Sequence, residues 1–138
     1  MLVLASNSAS RRAMLEAAGL TIEAAGAEID ERALEAGLGD AEPHAIALTL
    51  AEAKALEVCD RQPEALVLGG DSVVTVAGRR FDKPADRDEA AEHLAFFSDQ
   101  TIELWSAAVL ARDGKIVERV TDKAELAARK LSNEFIAA

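Results

Sequence analysis

The sequence predicts an α/β fold, a mixed sheet with helices packed on it. Three observations lead there. Two short apolar runs, Leu2–Ala5 and Ala65–Leu68, have the pattern of strands covered on both faces. Capping residues and apolar stripes at helical spacing mark helices between and after them. Two tight-turn signals, Ala77-Gly78 and Asp113-Gly114, join strand-like segments into hairpins.

The elements follow in order. Leu2–Ala5 reads as a buried strand that ends in the small polar turn Ser6-Asn7-Ser8. A helix follows, with Ser8 or Ser10 as cap, an apolar stripe of Met14, Leu15 and Ala18, and Gly19 at its end. Residues 21–28 suit a second strand, and Ile29-Asp30-Glu31 leads into a glycine-rich loop. Pro43–Val58 is a helix, with Asp40 as candidate cap and Pro43 in the first turn. The strand at Ala65–Leu68 runs into Gly69-Gly70-Asp71, which reads as a strand end or bulge. Ser72–Val76 resumes as a strand and turns at Ala77-Gly78 into Arg79-Arg80-Phe81. Asp86 and Glu89 form a capping-box pattern at the head of a helix reaching Phe97. Residues 101–111 and 116–126 are paired strands around Asp113-Gly114, and Ser132 caps a short final helix start.

Composition narrows the function classes. Half of the 138 residues are hydrophobic, enough for a core, while only 4% are aromatic, so alanine does much of the filling. No apolar run approaches the ~20 residues of a membrane-spanning helix, and the N-terminus lacks a secretory pattern. The formal charge of −10 opposes a nucleic acid polymer as partner but not a small anion held by a few local cations. A single cysteine, Cys59, excludes an internal disulfide and, with only His44 and His93 to join it, the usual zinc sites. It reads as a buried thiol in a reducing cytoplasm. Neither histidine is given a role.

Several residues stand where local rules disfavour them. Arg11 and Arg12 fall in the first turn of a helix, where the dipole disfavours a cation by about 0.3–1 kcal/mol, and a bound anion would offset that. Arg11 shares the inward side of Met14 and Leu15, whereas Arg12 can pair with Glu16 on the surface. Ser6 and Ser8 can offer hydroxyls to the same anion or serve turn and capping chemistry. Lys54 occupies a place in the apolar stripe Ala47, Leu50, Ala51, Val58, so it either snorkels or reaches a buried site. Asp71, after two glycines, is the leading catalytic candidate, suited to metal binding or to activating water. Lys83 is held extended by Pro84 and can meet a phosphate as a point charge. Glu31 adds a loop carboxylate. This inventory fits a phosphate-ester or phosphoanhydride site with a divalent metal, without a Walker loop or a Ser-His-Asp triad.

Together these pieces resemble the Maf family of nucleoside triphosphate pyrophosphatases. The likeness is carried by Leu4-Ala5-Ser6-Asn7-Ser8-Ala9-Ser10-Arg11-Arg12, Ile29-Asp30-Glu31, Leu50-Ala51-Glu52-Ala53-Lys54-Ala55, Gly69-Gly70-Asp71-Ser72, Asp82-Lys83-Pro84 and Ser106-Ala107-Ala108. The resemblance implies an elongated, two-lobed fold related to inosine triphosphate pyrophosphatases, with a central cleft. It implies hydrolysis of a modified or non-standard nucleoside triphosphate to monophosphate and pyrophosphate with Mg²⁺ or Mn²⁺. By that likeness Asp71 is the proton acceptor, Arg11, Arg12, Lys54 and Lys83 hold phosphates, Ser6 and Ser8 line the turn, and Glu31 and Asp71 serve the metal. Ser10 and Ser72 fall at positions linked to base choice and match neither known pair. Ala9 stands where the family often has proline. The expected organisation is one domain over residues 1–138 that lacks the family's C-terminal portion, with a homodimer among the assemblies considered. Two other functions compete: an inactive nucleotide-binding module or regulatory partner, and a phosphotransferase sharing the turn.

Overall fold

The computed structural model describes residues 2–137. It contains a six-stranded mixed sheet with five helices among the described residues. Strand β1 (Leu2–Leu4) leads into helix α1 (Ala9–Ala17), and β2 (Ile22–Ala24) returns beside β1. Helices α2 (Glu31–Leu38) and α3 (Pro43–Arg61) come next, followed by β3 (Leu66–Val76) and the short β4 (Arg79–Phe81). Helix α4 (Arg87–Phe97), the long hairpin β5 (Thr101–Arg112) and β6 (Lys115–Ala127), and α5 (Asn133–Ala137) complete the described chain.

The sheet runs β2-β1-β3-β5-β6, parallel among the first three and antiparallel beyond. Both expected hairpins form. Ala77 and Gly78 have φ of 51° and 80°, and Asp113 and Gly114 have 53° and 75°, the paired positive angles that match strand twist. The core lies between α3 and one face of β1, β3 and β5, where Val3, Leu50, Val58, Val67 and Val109 are fully buried. Alanine fills this interface as the composition suggested, with Ala47, Ala51, Ala55 and Ala111 wholly enclosed. Cys59 is a buried free thiol within it. A second lobe gathers at the far end of the hairpins. There Phe81 packs edge-on to His93 at 4.9 Å and to Phe97 at 4.8 Å.

Four expectations need correction. The loop after Asp30 is helix α2, because Asp30 accepts a cap bond from Ala33 and Leu34 and Leu38 pack on the core. Asp40 does not cap α3, since Glu42 holds the N-cap position without a side-chain bond and Pro43 needs no donor partner there. The second strand is three residues rather than eight. Gly69-Gly70-Asp71 is neither a strand end nor a bulge, for β3 runs unbroken through it and pairs residue for residue with β5. His93, given no role by the sequence, packs among aromatic rings with Glu89 Oε1 3.7 Å from its Nε2.

Candidate active site

The glycines in β3 bring α3 close rather than ending the strand. A Cβ at Gly69 would overlap the Ala51 carbonyl and lie 2.9 Å from Ala55 Cβ. With glycine there, α3 lies directly on the strand, one turn of helix from Lys54. Lys54 therefore does not snorkel. Its ammonium reaches Asp71 Oδ1 at 3.1 Å and Glu31 Oε1 at 3.0 Å, and the Lys54 and Asp71 side chains are only 13% and 14% exposed.

β3 is also an interrupted edge. On the side away from β5, residues 66–68 pair with β1 and residues 74–76 pair with β4. Among the described residues no strand pairs with Gly69–Val73 on that side. Because side chains alternate across a strand, Asp71 faces α3 with Val67 and Val73, while Gly70 and Ser72 face the opposite way. The gap lets one ligand meet groups from both faces. It opens where β1 ends and its turn begins, the crevice at strand carboxyl ends that open α/β sheets use for ligands.

From the other face comes Arg11. Its side chain crosses Gly70, where an added Cβ would be 3.8 Å from Arg11 Nε. Arg11 lines a cavity of about 320 Å³ together with Met14, Leu15, Asp71, Ser72 and Ser106. The turn before it is fixed locally: Ser6 Oγ accepts from the Ser8 amide at 3.0 Å, and Ser8 Oγ caps α1 by accepting from the Arg11 amide at 3.3 Å. Both hydroxyls thus have the structural role, and each can still donate outward. Ser10 is exposed on α1. Arg12 turns away and pairs with Glu16 at 3.1 Å on the surface. Lys83 lies in a groove with Ser72, Phe81, Pro84 and His93, which adjoins the Arg11 cavity through Ser72. The Ser72 and Ser106 hydroxyls lie 3.3 Å apart across the sheet.

Burial pushes the Asp71 carboxyl above the ordinary carboxylate range; the Lys54 charge and hydrogen bond pull it part of the way back, Glu31 raises it and Arg11 lowers it. A carboxylate perturbed by desolvation beside a specific cation, at the rim of a cleft, is a candidate proton acceptor. The sequence did not single out Arg80. It pairs with Glu35 at 2.7 Å and Asp82 at 3.4 Å. Its signal was available only as a charged residue opposite the buried Thr75 in a hairpin.

The molecule is thus an α/β protein with a carboxylate–lysine cluster at an interrupted strand edge, and comparison with known proteins gives its family. A family model described as Maf-like protein matches residues 1–138. A 7-methyl-GTP pyrophosphatase of Mesorhizobium japonicum is 50% identical over 137 residues, 98% of this chain and 69% of that protein. A nucleoside triphosphate pyrophosphatase of Sphingopyxis alaskensis is 45% identical over 139 residues, 99% of this chain and 70% of its own length. The chain belongs to the Maf-like family. In structure it is similar to a HAM1 protein from Coxiella burnetii, with a TM-score of 0.56 and 19% identity over 90% of this chain and 69% of that one, a likeness of fold. No helix among the described residues is long and apolar enough to cross a membrane.

Proposed function

We propose that the protein hydrolyses a modified or non-standard nucleoside triphosphate to the monophosphate and pyrophosphate. The observation that carries this is Lys54, held at 3.0 and 3.1 Å from Glu31 and Asp71 beside the unpaired edge of β3. The activities named for relatives at 44–50% identity support it. Asp71 accepts a proton from water as that water attacks the α-phosphorus. A new P–O bond forms, the bond to the β-phosphate's bridging oxygen breaks, and pyrophosphate leaves. Arg11, Lys54 and Lys83 supply positive charge where the phosphoryl oxygens gain negative charge. The Ser6–Ser8 turn, tied down by its own hydrogen bonds, presents hydroxyls and the α1 N-terminus to the same phosphates.

The donor set also suits a divalent cation. Glu31 and Asp71 share one ammonium, so they lie close enough to share one cation, and both offer hard oxygen ligands. Mg²⁺ is commonly held by one or two carboxylates with substrate phosphates. When bound, Mg²⁺ or Mn²⁺ would neutralise phosphate charge. Lys54 would then shift from the carboxylates towards the phosphates. We place the protein in the cytoplasm, where an unpaired thiol such as Cys59 stays reduced. Pyrophosphate release from a nucleotide panel that includes 7-methyl-GTP, with and without Mg²⁺, tests this function. Orthophosphate as the sole phosphate product would exclude it.

A further inference from the structure

We propose that Arg80 is a positioning residue that clamps α2 to the Lys83 loop and so holds Glu31 and Lys83 in place together. This rests on the function proposed above and concerns the same site. Arg80 lies on β4 opposite Thr75, on the sheet face shared with Asp71. Its Nη2 reaches Glu35 Oε1 on α2 at 2.7 Å and Asp82 Oδ1 at 3.4 Å.

Each carboxylate is coupled to a site residue. Glu35 is four residues after Glu31, so both project from one side of α2. Fixing Glu35 fixes the rotation of the helix and with it the Glu31 carboxylate on Lys54. Asp82 immediately precedes Lys83 and Pro84, and the proline limits how the lysine can move against its neighbour. Helix α2 has no fully buried residue, and beyond the partial packing of Leu34 and Leu38 on the core it is tied down by the charge contacts of Glu31 with Lys54 and of Glu35 with Arg80.

The arginine is committed to these partners at a cost. Its Nε is buried without a hydrogen-bond acceptor, a loss that a merely surface pair would avoid by staying in water. At 30% and 27% exposure the Arg80–Glu35 pair is also less solvated than Arg12–Glu16 at 51% and 53%. A shielded pair is the kind that holds geometry.

The test compares Arg80→Gln, Arg80→Lys and Glu35→Gln with the wild-type chain, reading local amide exchange and steady-state kinetics. Arg80→Gln is expected to speed exchange in residues 31–38 and 82–85 by about ten-fold, and to leave the centre of α3 unchanged. It should lower kcat/KM about 10–100-fold and raise the Mg²⁺ concentration needed for half-maximal rate, because Glu31 is loosened. Glu35→Gln should reproduce the α2 exchange and the Mg²⁺ shift, Arg80→Lys should restore part of both, and the Arg80→Gln/Glu35→Gln pair should be less than additive. Unchanged exchange in α2, or faster exchange with unaltered kcat/KM and Mg²⁺ dependence, would overturn the proposal. If Arg80→Gln fails to fold, Glu35→Gln and Asp82→Asn carry the same comparison. A wild-type chain that releases no pyrophosphate overturns the parent function, and the exchange data then decide the clamp alone.

Discussion

Gly69→Ala is the most direct way to disturb the packing that builds the site. The added methyl would overlap the Ala51 carbonyl oxygen and lie 2.9 Å from Ala55 Cβ and 3.1 Å from the Ala55 nitrogen. All three belong to α3, and none is the end of a flexible side chain, so the helix itself must move. Overpacking by one methyl costs about 1–3 kcal/mol, and the rigidity of these obstacles puts this case near the upper end. For a chain of this size each kcal/mol shifts Tm by roughly 3–5 °C, so the melt should fall by about 10–15 °C. A helix displacement of about 1 Å also pulls Lys54 from its 3.1 Å contact with Asp71, and activity well below the new Tm should drop about 10–100-fold. Gly70→Ala is the control: its methyl would meet Ala107 O at 3.5 Å and Arg11 Nε at 3.8 Å, ordinary contacts, so its melt should shift little. Far-UV circular dichroism melts with pyrophosphate release at a low temperature give both numbers. A Gly69→Ala protein that melts within about 2 °C of wild type would refute the close-packing argument.

Other outcomes follow from the same geometry. Asp71→Asn should cut turnover about 10²–10⁴-fold, the range for losing a general base. It should not destabilise the fold at neutral pH: a carboxyl raised by burial contributes stability below its unfolded pKa and loses it as pH rises through the folded one, so ionised Asp71 is a net cost there. Melts at pH 4 and pH 7 should show the variant gaining on wild type at the higher pH. The acidic limb of the kcat/KM profile should lie above that of an ordinary carboxylate, and Lys54→Met should move it further up by removing the cation that pulls Asp71 down. Arg12→Gln should keep near-normal kcat/KM, because Arg12 faces Glu16 outside the cavity, and a loss beyond about ten-fold would place it in the site after all.

Much of this arrangement was legible in the chain. The anomalies at Arg11 and Lys54 survived because each broke a local rule, a cation at a helix N-terminus and a charge in an apolar stripe, and the structure puts both at the cavity or cluster that includes Asp71. Arg12 broke the same rule, yet its offset came from Glu16 four residues on, which local spacing also allowed. The glycine pair misled because glycine weakens strands on average, while here the missing Cβ admits a helix backbone fourteen to eighteen residues earlier. Helix α2 was hidden by Gly37 and Gly39, although its cap Asp30 and its Leu34–Leu38 spacing were present. The interrupted edge of β3 and the Arg80 clamp depend on which strands neighbour one another, and no local pattern encodes that pairing.

In the proposed reaction the Asp71 cluster cleaves between the α- and β-phosphates of a nucleoside triphosphate. Product analysis by ion-exchange chromatography tests it most directly, with wild type and Asp71→Asn run in parallel on a panel containing 7-methyl-GTP and Mg²⁺. Nucleoside monophosphate and pyrophosphate in equal amounts from wild type, and neither from Asp71→Asn, is the expected result. Nucleoside diphosphate with orthophosphate, or undiminished turnover in Asp71→Asn, would contradict it.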